Sequence, residues 1–171
     1  MITSLQNSDS NYMFTAEDML IMTLWKVNRL PGLELINEVL NKLNKLAGYN
    51  SLEDSLGDLR DYLKIALKCK GIKIAMASTY LRFRNPKIYQ IIDQRVWRQL
   101  KKFESQLEND WNNVNPTDYR SVKKIEDQIE LYVNYLIDLR TMCDCENVSF
   151  EIADQYYYDI DKKQGNSVEN Y

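Results

Sequence analysis

Chemistry in this chain gathers around one short stretch, Lys68-Cys69-Lys70-Gly71-Ile72-Lys73, and one carboxylate twenty residues beyond it, Asp93. A tight glycine turn between two helices can leave backbone N–H groups pointing outward, and the positive end of the second helix strengthens their pull on an anion. Lysines at 68, 70 and 73 bring full charges to the same place. Residues 60 to 102 carry twelve of the 22 Lys and Arg, with Asp61 and Asp93 as their only acids, a net of +10 against −13 in the remainder. A phosphate chain responds to that local field although the whole protein carries −3, because the potential is set within about one Debye length. The competing reading is a basic face that pairs with the acidic remainder of the fold.

Other chemistries are narrowed by what is missing. No His is present, which removes Ser-His and Cys-His nucleophile pairs and the commonest general base, so that Asp, Glu, Lys, Tyr and Arg must carry any reaction. Cys69, Cys143 and Cys145 form an odd set, the last two too close for an ordinary bridge, and they read as reduced thiols. Two neighbouring cysteines without His do not complete a four-ligand zinc site, and three do not hold a four-cysteine cluster. No metal and no cofactor are expected.

These residues need a scaffold, and composition favours helices for it. Only five Gly and three Pro leave little material for a turn-rich β architecture, and 44% hydrophobic content over 171 residues suffices for one core. The expectation is a single all-α domain over 1–171 of about seven to eight helices, with 1–13 and 164–171 as disordered tails. Apolar spacing predicts helices near 16–29, 33–46, 59–70, 72–83, 94–103, 118–142 and 149–163. Thr15 and Asp18 read as a capping box, Ser51 caps a short turn ending near Gly57, and Asp93 caps the helix that follows it. The apolar run Ile88 to Ile92, bounded by Pro86 and Asp93, predicts an extended or single-turn connection. No apolar run reaches the roughly 18 residues of a membrane span, and MITSLQNSDSN does not read as a leader, so a cytoplasmic protein with no membrane contact is expected.

The stretches LKCKGIKIAMASTYLRF and YQIIDQRVWRQL resemble the helix-hairpin-helix DNA glycosylase superfamily, whose motif runs roughly L-P-G-V-G-x-K-x-A followed by V-D-x-H/R-V. The resemblance covers about 59–103, with the hairpin at about 59–83. Trp25-Lys26 and Tyr156-Tyr157-Tyr158 are loosely similar to features of short bacterial relatives. The resemblance implies binding of duplex DNA with a flipped base, and excision of a damaged or modified base by cleavage of its N-glycosidic bond. Asp93 would stabilise the cationic sugar and help activate the nucleophile. Lys68, Lys70, Gly71, Ile72, Lys73, Arg84, Arg95 and Arg98 would face DNA, and Tyr80, Tyr89 and Trp97 would form wedge or pocket. Lys73 either falls on the superfamily's Schiff-base lysine or contacts phosphate, according to which motif glycine Gly71 matches; the register that makes it a phosphate contact preserves the hairpin better.

Plainer roles stand beside these. Asp93 can be a cap alone, Trp97 and the tyrosines can be core, and Arg95 and Arg98 can be surface charge. Two further functions remain open: a non-catalytic helix-hairpin-helix DNA-binding protein, and a helical interaction partner in a defence or toxin-antitoxin system. No feature of the sequence speaks to oligomeric state.

Overall fold

A computed structural model describes residues 12–27, 36–106 and 118–165, without the side chains of 24–27, 36 and 106. Among the described residues there are seven α-helices and no strand. Most of the two expected tails, the Pro31-Gly32 break and the side chains of Trp25 and Lys26 lie outside the described residues. The chain divides into two compact units, Met1–Ile91 and Ile92–Tyr171.

The first unit holds α1 (Ala16–Val27), α2 (Ile36–Lys45) with a 3-10 turn at Leu46–Gly48, α3 (Leu52–Ala66) and α4 (Ile74–Arg84). The capping box forms: the Thr15 hydroxyl accepts from the Asp18 N–H at 3.2 Å, and the Asp18 carboxylate accepts from the Thr15 N–H at 2.8 Å. Ser51 likewise accepts from the Asp54 N–H at 3.1 Å. The helix it starts does not stop at Gly57 as expected but runs through it to Ala66. A helical glycine costs only about 1 kcal/mol relative to Ala. The buried stripe of Leu52, Ser55, Leu59, Tyr62, Leu63 and Ala66 continues at three- and four-residue spacing on either side of it. Met19, Met22, Leu43, Leu46, Tyr62, Ala77, Tyr80 and Leu81 fill the core. After α4, Ile88 to Ile92 is buried and neither helical nor stranded, as its bounding residues predict.

The second unit holds α5 (Gln94–Gln106), a 3-10 turn at Tyr119–Ser121, α6 (Ile125–Glu146), a 3-10 turn at Phe150–Ile152 and α7 (Ala153–Lys163). The sequence places the start of α6 near 118. There, Asp118 caps the 3-10 turn, accepting from the Arg120 N–H at 2.9 Å, and the α-helix begins seven residues later. It also runs past 142, ending only where Asn147 turns left-handed at φ 54° and the Val148 N–H reaches back to the Cys143 carbonyl at 2.9 Å. An aromatic core forms between these helices. Trp97 stacks on Tyr135 with centroids 6.1 Å apart, Tyr135 stacks on Tyr132 at 6.0 Å, and Tyr119 meets the Trp97 edge at 5.7 Å. No described helix is long and apolar enough to cross a membrane.

Candidate anion-binding turn and the Asp93 cluster

The link between α3 and α4 is a run of closed turns. The Lys68 N–H donates to the Ile65 carbonyl at 3.1 Å, Cys69 to Ala66 at 3.0 Å and Ile72 to Cys69 at 3.1 Å. Gly71 takes φ +94°, a conformation that a side chain would strain. Alternation of polarity anchors the turn: Cys69 and Ile72 are buried, while Lys68, Lys70, Gly71 and Lys73 are exposed. Lys73 is the N-cap of α4, with extended backbone and no side-chain cap bond. Its carbonyl accepts from the Met76 and Ala77 N–H groups, both at 2.9 Å. The first turn of α4 carries no acid to neutralise its positive end. Among the described residues no carboxylate pairs with Lys68, Lys70 or Lys73.

Four other cations of the basic block, Arg95, Arg98, Lys101 and Lys102, are engaged internally. Asp161, fully buried on α7, accepts from Arg95 Nη1 at 3.1 Å, from Arg98 Nε at 3.2 Å and Nη2 at 2.5 Å, and from Gln99 Nε2 at 3.0 Å. These hydrogen bonds hold the Arg98 guanidinium above its ordinary pKa. The Arg95 guanidinium also lies 5.3 Å from the Tyr158 ring centroid. Lys101 pairs with Glu104, and Lys102 Nζ donates to the Gln164 amide oxygen at 2.6 Å. Arg95 and Arg98, expected at DNA, therefore hold a carboxylate of their own unit. Arg84 is only 3% exposed, its guanidinium 5.2 Å from the Phe14 ring centroid.

The aromatic residues expected at the flipped base are core side chains. Tyr80 and Tyr89 are fully buried and Trp97 is 2% exposed. The Tyr80 hydroxyl meets Thr23 Oγ1, and burial pushes its pKa up to about 12. Burial raises Tyr89 as well. A wedge must present a ring at the surface, and none of the three does so.

Asp93 is the N-cap of α5. Its Oδ1 accepts from the Arg95 N–H at 2.8 Å, and its carbonyl accepts from the Trp97 N–H at 2.8 Å. Oδ2 has no hydrogen-bond partner among the described residues, and the residue is half-buried. Its charge reaches Arg98 and the buried hydroxyl of Tyr135, which burial first, then the charges of Asp154 and Asp93, hold above the ordinary tyrosine range. Lys68, Lys70, Gly71, Ile72, Lys73, Arg84, Tyr80 and Tyr89 thus belong to the first unit, and Asp93, Arg95, Trp97 and Arg98 to the second.

Sequence reasoning did not single out Asp161 or Gln99. A signal existed: Arg95, Arg98 and Gln99 share one face of α5 at three- and four-residue spacing, a polar stripe that must meet an acceptor if it is covered. Of the thiols, Cys143 is buried, which pushes its pKa up to about 11, and Cys145 is exposed. Among the described residues no group of three His, Cys, Asp or Glu side chains is placed to hold a metal ion. No family model, curated protein or solved structure matches the chain.

Proposed function

We propose that the chain binds the phosphate backbone of nucleic acid through the turn around Gly71. The observation that carries this reading is that Lys68, Lys70 and Lys73 stand exposed without a described carboxylate partner, while Arg95, Arg98 and Lys101 are paired within the fold. Buried Cys69 and Ile72 fix the turn, left-handed Gly71 lets a phosphate approach the backbone, and the acid-free first turn of α4 adds its N–H groups. Contacts of this type are to phosphate and carry no base identity, so binding should be nearly independent of sequence.

Fluorescence anisotropy on a labelled duplex tests this. Three neutralised phosphates give a log–log salt slope of about −2.7, so affinity falls about 40-fold between 50 and 200 mM salt. Joint Lys68→Gln, Lys70→Gln and Lys73→Gln should abolish that slope, whereas Lys123→Gln with Lys124→Gln should leave it. Unchanged binding by the triple variant would refute the reading, and no duplex binding even at low salt would favour a protein partner.

A second reading, base excision, has one observation in its favour. Asp93 is a half-buried cap whose Oδ2 is left without a described partner, next to a helix resembling the superfamily's Asp-bearing segment. Here the carboxylate would stabilise the cationic sugar while the base departs and water adds. Asp93→Asn retains a capping side chain, so stability should hold while base release from a panel of modified duplexes, read by hot alkali, is lost. Borohydride trapping that disappears in Lys73→Gln would assign that lysine the covalent role.

A further inference from the structure

Residues 141–161 hold six carboxylates, Asp144, Glu146, Glu151, Asp154, Asp159 and Asp161, and no Lys or Arg. Asp161 is answered by Arg95 and Arg98, and Asp154 is buried. Asp144 and Glu146 are exposed at the end of α6, and Asp159 is half-buried on α7. Among these acids stand two large apolar side chains in water. Ile152 is 52% exposed and Tyr156 41%, four residues apart at the start of α7, and Asp159 continues their line three residues on. The Tyr157 ring meets the Tyr156 ring edge-on at 5.1 Å, and its hydroxyl donates to Glu146 at 3.0 Å, which brings the acidic end of α6 up to the same side of α7. A single exposed apolar residue is ordinary, whereas an apolar pair bordered by charge of one sign has the composition of a docking surface.

We propose that this face docks the Gly71 turn of a second copy of the chain. The charges match: Lys68, Lys70 and Lys73 are exposed without a described carboxylate partner, and Asp144, Glu146 and Asp159 border the face. Lysine suits an apolar centre with an acidic border, because its methylene stem lies on apolar surface while its ammonium reaches outward. The exposed Tyr156 ring also attracts an ammonium over its face. Each copy offers one turn and one face, so the contact is head-to-tail and uses a different surface from each partner. A docked turn is withheld from phosphate, which makes self-association and nucleic-acid binding mutually exclusive at that turn. The docking does not depend on the phosphate reading, since the three ammoniums meet carboxylates whether or not they also bind nucleic acid.

Sedimentation of the full chain over a range of concentrations tests it. Mass should rise with concentration at about 0.1 M salt and return to that of one chain at about 1 M, where the Debye length shrinks to about 3 Å. Two variants each remove one half of the contact: joint Lys68→Gln, Lys70→Gln and Lys73→Gln in the turn, and joint Ile152→Lys and Tyr156→Lys in the face. Either alone should weaken self-association at least about tenfold. Mixed, they should form a one-to-one pair, because one keeps an intact face and the other an intact turn. Asp144→Lys with Asp159→Lys replaces the face variant if that one misfolds. A chain that stays single at low salt, association that survives either variant, or a mixture that does not pair would overturn the proposal. So would a duplex that binds the turn without dissolving the assembly. A duplex that does not bind at all, beside intact self-association, refutes the phosphate reading alone.

Discussion

Asp161→Asn is the most informative single perturbation of the second unit. The carboxylate is fully buried and takes four hydrogen bonds from Arg95, Arg98 and Gln99, whereas the two arginine side chains keep 13% and 29% of their exposure. Removing one partner of a buried ion pair costs about 3 to 5 kcal/mol, mostly because the other charge is stranded. Here the guanidiniums retain some water, which places the cost at the lower end, about 3 kcal/mol or roughly a hundredfold in the folding equilibrium. Urea unfolding followed by circular dichroism measures it, and a double-mutant cycle with Arg98→Gln separates the pairwise share. Joint Asp161→Leu, Arg95→Met and Arg98→Met should recover most of the loss, since a matched apolar set strands no charge. A loss below about 1 kcal/mol for Asp161→Asn would refute the argument, because that is the scale of a solvent-screened surface pair.

Three further outcomes follow from the geometry. Gly71→Ala forces a side chain into a left-handed φ of +94° and should lower stability by about 1 to 2 kcal/mol, read by thermal melting, with duplex binding reduced in proportion to disorder of the turn. Iodoacetamide at pH 8 should label exposed Cys145 rapidly and Cys143 only on unfolding, since burial both shields that thiol and raises its pKa to about 11. Asp118, lowered chiefly by its hydrogen bonds from Arg120, should titrate below 3.8 by carboxyl NMR. Its small stabilising contribution is full above that value and fades as pH falls through the depressed one, and Arg120→Ala should return it towards that value.

What the sequence by itself determined lies within one or two helical turns. The Thr15–Asp18 box, the Ser51 and Asp93 caps and the non-helical Ile88–Ile92 link rest on interactions between residues close in the chain, which spacing encodes directly. The tertiary structure alone decided the partners. Arg95 and Arg98 find Asp161 more than sixty residues later, Tyr80, Tyr89 and Trp97 are claimed by the core, and the stripe buried by α3 carries the helix through Gly57. Side-chain type is the same for a phosphate-binding arginine and a paired one, or for a stacking tyrosine and a packed one. Which it becomes depends on the surface that distant segments bring against it, and that information is not present in local spacing.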